Sequence, residues 1–168
     1  MLKTIKQISI TLAVSLALVA PAHALNFVIN QGVWMSSKQA FAEDTVKLYT
    51  VIVNNDFQNL NTKVDFYNNG NLIGSTNAQN IAFEEARQVW IEYKLPAGSY
   101  NIQAKLSDVV ALDSTGKTIQ IPSTDVSESV QSTFNIDLDT DGDNIGNKDD
   151  GDDDNDGVED SGDNCPIN

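Results

Sequence analysis

The stretch from Asp137 to Asp163, DLDTDGDNIGNKDDGDDDNDGVEDSGD, cannot fold around an apolar core, because nearly every second residue carries a carboxylate. The acids are ordered, and the order occurs twice. With Asp139 as position 1, carboxylates follow at 3 and 5 (Asp141, Asp143), Asn147 stands at 9 and Asp150 at 12. With Asp152 as position 1, the ladder returns as Asp154, Asp156, Asp160 at 9 and Asp163 at 12. The copies start 13 residues apart, with Gly151 alone between them. Starting instead at Asp137 would place Lys148, a cation, at position 12.

Alternating oxygens at this spacing suit a hard divalent cation. Ca²⁺ takes six to eight oxygen ligands at about 2.3–2.6 Å, which a loop of this kind supplies from alternate side chains and a carbonyl at position 7. Those carbonyls would belong to Ile145 and Val158. Position 6 must turn sharply; Gly157 does so freely, and Asn144, tolerant of positive φ, stands there in the first copy. Position 12 is Asp rather than Glu, so its reach to an ion is shorter. The alternative is a disordered acidic tail, since blocks of like charge are commonly solvated. Turn formers and apolar residues at matching positions in both copies favour paired calcium loops. Extracellular modules of this type bind in the range of about 10⁻⁴ to 10⁻³ M, and calcium is expected to order the tail.

The segments DTDGDNIGNKDD and DDDNDGVEDSGDNCP resemble bacterial thrombospondin type 3 repeats, acidic calcium-wrapped repeats of extracellular proteins. Two departures are Asn144 in place of glycine and a sequence that stops at Asn168. Cys165 is the chain's only cysteine. In an oxidising compartment a lone cysteine points to an intermolecular bond or a missing partner. The resemblance implies pairing with a later cysteine, so the expectation is a fragment, or else a gene that ends inside a repeat.

Charge narrows the partners. The formal charge is −14, and residues 137–168 hold 12 Asp and 1 Glu against 1 Lys. Such a chain repels nucleic acid and anionic membranes. The only histidine is His23, in the leader described next. That leaves no Ser-His-Asp or Cys-His catalysis and no His-ligated zinc in the exported chain. Glu84, Glu85 and Glu92 read as solvated charges on one strand-rich segment rather than a glycosidase pair. The expectation is a protein that is not an enzyme.

Residues 1–24 begin with Lys3 and Lys6, continue with an apolar run from Ile8 to Ala20, and end in Pro21 and Ala22-His23-Ala24. This is the pattern of a secretory signal peptide with an A-x-A cleavage site. The run is shorter than the roughly 20 residues a membrane-spanning helix needs, so no membrane insertion is expected after cleavage. The expected location is secreted or cell-surface, in the periplasm or outer membrane of a Gram-negative cell.

Residues 25–136 form the one stretch able to build a core. Short runs of Val, Ile, Thr and Tyr between turn formers predict an all-β antiparallel sandwich. The expected strands are Phe27–Asn30 or Val33–Met35, Thr45–Asn54, Lys63–Tyr67, Asn71–Ser75, Gln88–Lys94, Tyr100–Ser107, and Thr118–Ile121 or Val130–Ile136. Asn68-Asn69-Gly70-Asn71 and Pro96-Ala97-Gly98 are turns. Period-two alternation places Val64, Phe66, Val89, Ile91, Tyr93, Tyr100, Ile102, Ala104 and Leu106 inside. Thr45–Asn54 is apolar on both faces, as a central strand would be. Residues 123–132 read as a loop or the lead-in to a last strand.

The succession VWMSSKQAFAEDTVKLYTVIVNN, VDFYNNGNLIGS and VWIEYKLPAGSYNIQAKL is similar to bacterial immunoglobulin-like domains of the cell-adhesion-related (CARDB) kind. The resemblance implies about seven strands in two antiparallel sheets. Antibody landmarks, including an inter-sheet disulfide, are missing. Trp34 is expected in the core; Trp90, on the face opposite Val89 and Ile91, is expected under a loop or the other sheet, and if bare would stack on a sugar or a partner. The expected protein is an exported immunoglobulin-like domain followed by an irregular calcium-binding acidic tail that acts as a spacer in display or adhesion. Its partners would be calcium ions and a cell-surface protein or glycan. The alternative is a secreted carbohydrate-binding or enzyme-accessory module.

Overall fold

The computed structural model describes residues 32–126 and 128–167. The expected leader and the strand Phe27–Asn30 lie outside the described residues. Among the described residues eight strands follow one another: β1 (Trp34–Met35), β2 (Thr45–Asn54), β3 (Asn59–Asn68), β4 (Asn71–Ala82), β5 (Glu85–Lys94), β6 (Gly98–Leu112), β7 (Thr118–Ile121) and β8 (Ser132–Ile136), with a 3₁₀ turn at Ser123–Asp125. They form two antiparallel sheets, β1-β2-β5 and β4-β3-β6-β7, with β8 also pairing β6. The chain passes between the sheets after β2, β4 and β5. Among the described residues no helix is long and apolar enough to cross a membrane.

The core lies where the alternation put it. Val46, Leu48, Ile52, Val89 and Ile91 from the smaller sheet meet Leu60, Val64, Phe66, Ile102, Ala104 and Leu106 from the larger, all buried. Each large side chain buried in this way contributes about 1.5–3 kcal/mol of transfer free energy. β2 is the central strand of its sheet, as expected, with register running from Thr45↔Lys94 to Asn54↔Glu85. Its last residue, Asn54, is buried, and its amide satisfies the carbonyls of Phe57 and Ile81, both at 2.9 Å. That side chain thereby ties the exit of β2 to the end of β4.

Several strands run further than the alternation predicted. β6 continues past Ser107 to Leu112, because Asp108 adopts a positive φ of 50° and shifts the inward phase from even to odd positions, burying Val109 and Ala111. β4 extends through the polar sequence Thr76–Asn80 as an edge strand paired only with β3, so little of its surface needs to be apolar. β7 and β8 both exist, on successive stretches of the same edge of β6. One landmark of Greek-key sandwiches is present after all: Tyr100, buried at the start of β6, donates its hydroxyl hydrogen bond to the Pro96 carbonyl at the corner after β5. This is a tyrosine corner, which pins the crossing between the sheets.

Candidate metal centre

β8 ends at the buried Ile136, and from Asp137 to Ile167 the chain forms only turns and bends. The two acidic units nevertheless share one hydrogen-bond frame. The position 1 carboxylate accepts the position 6 N–H, Asn144 to Asp139 at 3.1 Å and Gly157 to Asp152 at 3.0 Å. Position 3 accepts from position 5, Asp143 to Asp141 at 3.0 Å and Asp156 to Asp154 at 3.2 Å. Position 5 accepts from position 7, Ile145 to Asp143 at 2.7 Å and Val158 to Asp156 at 2.9 Å. The bonds at positions 3 and 5 are Asx turns, the local alternative that aspartate offers the backbone outside helix and sheet, and the longer bond at position 1 closes over them.

The turns fold each unit back on itself because two residues per unit take left-handed backbone. Position 4 does so as Gly142 (φ 79°) and Asn155 (φ 57°), and position 6 as Asn144 (φ 73°) and Gly157 (φ 92°). Asn144 thus adopts the conformation expected of it. The requirement extends to position 4 as well, where Gly and Asn stand at matched places in the two copies.

Folding back brings carboxylates together. One oxygen each from Asp139, Asp141 and Asp143 lies within 4.8 Å of the others, and the same holds for Asp152, Asp154 and Asp156. Like charges this close repel unless a cation lies among them. The second unit adds a sharper sign: Asp152 Oδ1 and Asp163 Oδ2, at positions 1 and 12, are buried atoms with no hydrogen-bond partner. Buried carboxylate oxygens without a donor are costly, and a divalent ion is one partner that would satisfy them. The donor set is all oxygen, which fits Ca²⁺ in chemistry.

The remaining candidates are placed differently. Asn147 Oδ1 at position 9 accepts the Thr140 N–H at 3.1 Å, and Asp160 Oδ1 accepts the Asp153 N–H at 3.0 Å, so both brace the loop from within. Asp150 Oδ1 accepts the N–H groups of Gly151 at 2.7 Å and Asp152 at 3.2 Å, which ties the end of the first unit to the start of the second. The side chains of Ile145 and Val158, which are expected as ligands only through their carbonyls, are exposed.

Two acids outside the expected set belong to the same assembly. Asp137 Oδ1 accepts the Leu138 N–H at 3.0 Å and Oδ2 accepts the Lys148 N–H at 3.1 Å, closing the first unit. Extending the 13-residue step back from Asp150 would have found it. Asp153 is position 2 of the second unit, and its carboxyl is pushed above the usual carboxylate range by burial first, then by the Asp160 and Asp150 carboxylates.

Away from the tail, Trp34 and Trp90 depart from expectation. Trp34 is half-buried on the outer face, not in the core, and Trp90 is 46% exposed. Register places Trp34 opposite Tyr49 and Tyr49 opposite Trp90, with ring centroids 5.9 and 6.0 Å apart. Lys47 Nζ stands 5.1 Å from the Trp90 ring. Glu84 and Glu92 are exposed, while Glu85 is bound by Arg87, whose hydrogen bond holds its carboxyl below the usual range. Cys165 is exposed and free.

No family model matches the chain, and no curated protein matches it. Among solved structures, a CARDB domain from Pyrococcus furiosus, in complex with di-metal ions, is similar at 13% identity and a TM-score of 0.40, over 58% of this chain and 82% of that one. Chicken MD-1, complexed with lipid IVa, is similar at 15% identity and a TM-score of 0.26, over 56% and 75%.

Proposed function

We propose that this chain is an exported, non-enzymatic calcium-binding structural protein, in which Ca²⁺ stiffens a thrombospondin type 3-like acidic spacer next to an immunoglobulin-like domain, for display or adhesion at the cell surface. The observation that carries it is the pair of carboxylate triads built on one repeated hydrogen-bond frame, with unpartnered buried oxygens at positions 1 and 12 of the second unit. Bound Ca²⁺ would supply the positive charge that offsets the repulsion within each triad. The residues of the chain do the rest: Asx turns aim the carboxylates, left-handed residues at positions 4 and 6 close the loop, and Asn147 and Asp160 hold each entry strand against its return. Calcium suits the frame better than magnesium, which demands near-ideal octahedral geometry and keeps several waters. Export is supported by the basic start, the short apolar run and the A-x-A site, and it would place the loops where calcium is plentiful.

The test is calorimetric titration of the chain lacking residues 1–24 with Ca²⁺, with Mg²⁺ as control, beside a variant carrying D141N, D143N, D154N and D156N. Saturable heat at millimolar calcium and slowed tail amide exchange, both absent from the variant, are expected. Equal tail mobility by NMR in chelator and in excess calcium would sink the proposal.

The exposure of Trp90 favours a second reading, a carbohydrate-binding or enzyme-accessory module using the row of Trp34, Tyr49 and Trp90. The faces of aromatic rings carry partial negative charge and attract the polarised C–H groups of a sugar. Glycan-array binding that survives calcium chelation and disappears in Trp90→Ala, with the melting temperature unchanged, is the result that would favour it; an array without hits would remove it.

A further inference from the structure

The sandwich touches the acidic tail unevenly. The segment joining β1 to β2, residues 36–44, reaches the first unit at two points. The Ala42 N–H donates to the Asp137 carbonyl at 2.7 Å, and Gln39 Nε2 donates to the Asn144 carbonyl at 2.7 Å. Asn144 is position 6, where a residue with a Cβ must hold φ at 73°. Asp137 passes the restraint onward, since its carboxylate binds the N–H groups of Leu138 and Lys148 on the entry and return arms. Gly146 on the return arm packs so closely that a Cβ there would stand 2.8 Å from Asp137 Oδ2. The entry, the bend and the return of the first loop are therefore all fixed, directly or through Asp137, to one sandwich segment.

The second unit has no such anchor. Among the described residues its hydrogen bonds stay within the tail, and it is linked to the first unit by the Asn155 amide donating to the Asp141 carboxylate and by the Asp152 N–H donating to Asp150 Oδ1. Its position 6 is Gly157, which needs no support at φ 92° and has nothing within 4 Å of where a Cβ would stand.

We infer that the β1–β2 segment, through Gln39 and Ala42, is a positioning element for the first calcium loop alone, so that calcium in that loop, and not in the second, is felt by the sandwich. The inference rests on the calcium reading given above. By linkage, a contact that favours the loaded geometry of a loop tightens its binding, and loading strengthens the contact in equal measure. Gln39 is exposed and touches no ligand, so it acts through the Asn144 peptide and is a positioning residue.

The experiment uses the chain lacking residues 1–24 in two backgrounds. D154N/D156N leaves only the first loop intact, and D141N/D143N leaves only the second. Gln39→Leu, which removes the donor at an exposed site, should weaken calcium binding about fivefold in the first background, the worth of one typical hydrogen bond. It should change binding by less than about twofold in the second. Calcium should raise the sandwich melting temperature in the first background and leave it unmoved in the second, while chelated samples with and without Gln39→Leu melt alike. An unchanged affinity in the first background, or a melting shift driven by the second loop alone, overturns the inference and leaves calcium binding standing. A parent chain that takes up no calcium in either loop overturns both.

Discussion

Replacing Asp154 with Asn should move the tail in opposite directions with and without calcium. Asp152, Asp154 and Asp156 each bring an oxygen within 4.8 Å of the other two. Two unit charges at that distance repel by about 0.9 kcal/mol at the dielectric of water, and by more where solvent is partly excluded. Asp154 takes part in two of the three pairs, so Asp154→Asn relieves about 2 kcal/mol of repulsion at low ionic strength. Screening removes only part of this at physiological salt, because the Debye length there is about 8 Å. The frame survives the change, since an amide oxygen can still accept the Asp156 N–H, now at 3.2 Å from Asp154 Oδ1. Calcium bound there would lose one carboxylate partner, and at the roughly 2.4 Å of an ordinary calcium–oxygen contact the lost attraction is on the order of 3 kcal/mol at the same dielectric, or about a hundredfold in affinity. Hydrogen exchange across residues 150–163 in chelator should slow in the variant, while calorimetry shows weakened calcium uptake. A variant with a looser calcium-free loop, or with undiminished affinity, would refute the reasoning.

Two further outcomes follow from single side chains. The carboxyl of Asp153 is held above its usual range, by burial first and then by Asp160 and Asp150, so this one carboxyl ionises at lower pH in the unfolded tail than in the folded one. The Asp153 contribution to stability is therefore complete below the unfolded value of about 3.9 and is lost as pH rises through the folded value. Protease resistance of the tail in chelator should rise on acidification from neutral pH, and Asp153→Asn should flatten that profile; a profile the substitution leaves untouched would exclude this role. In the sandwich, Tyr100→Phe deletes the hydroxyl that binds the Pro96 carbonyl and should cost about 1 kcal/mol, lowering the melting temperature by roughly 4–8 °C. An unchanged melt would mean that the corner contributes nothing to stability.

The sandwich was legible wherever a strand keeps one phase along its length. Thr45–Asn54 spans the same residues in the structure as in the alternation, because every second side chain from Val46 to Asn54 points inward. Where backbone with positive φ resets the phase, as at Asp108 in β6, a period-two pattern ends early although the strand continues. Edge strands hide for another reason. β4 pairs on one side only, and its polar residues Thr76–Asn80 contribute a single buried side chain, Ala78. The Trp34–Tyr49–Trp90 row was invisible because it depends on register between strands far apart in sequence.

In the tail, what recurs is backbone conformation more than residue identity. The first unit has Gly at position 4 and Asn at position 6, the second has Asn at 4 and Gly at 6, and all four are left-handed. A template that demands Gly at position 6 treats Asn144 as a departure, yet glycine and asparagine are the two residue types that enter this region at least cost, so the exchange leaves the loop intact. The boundary acids repeat with the same period. Asp137 accepts the Leu138 N–H, Asp150 those of Gly151 and Asp152, and Asp163 that of Cys165. Position 12 of one unit therefore also braces the first residues after it, and a substitution at Asp150 should disturb both triads where one at Asp139 or Asp156 disturbs one. Calcium titrations of Asp150→Ala should show both binding events weakened, and an effect confined to the first loop would mean that the units are joined in sequence but not in mechanics.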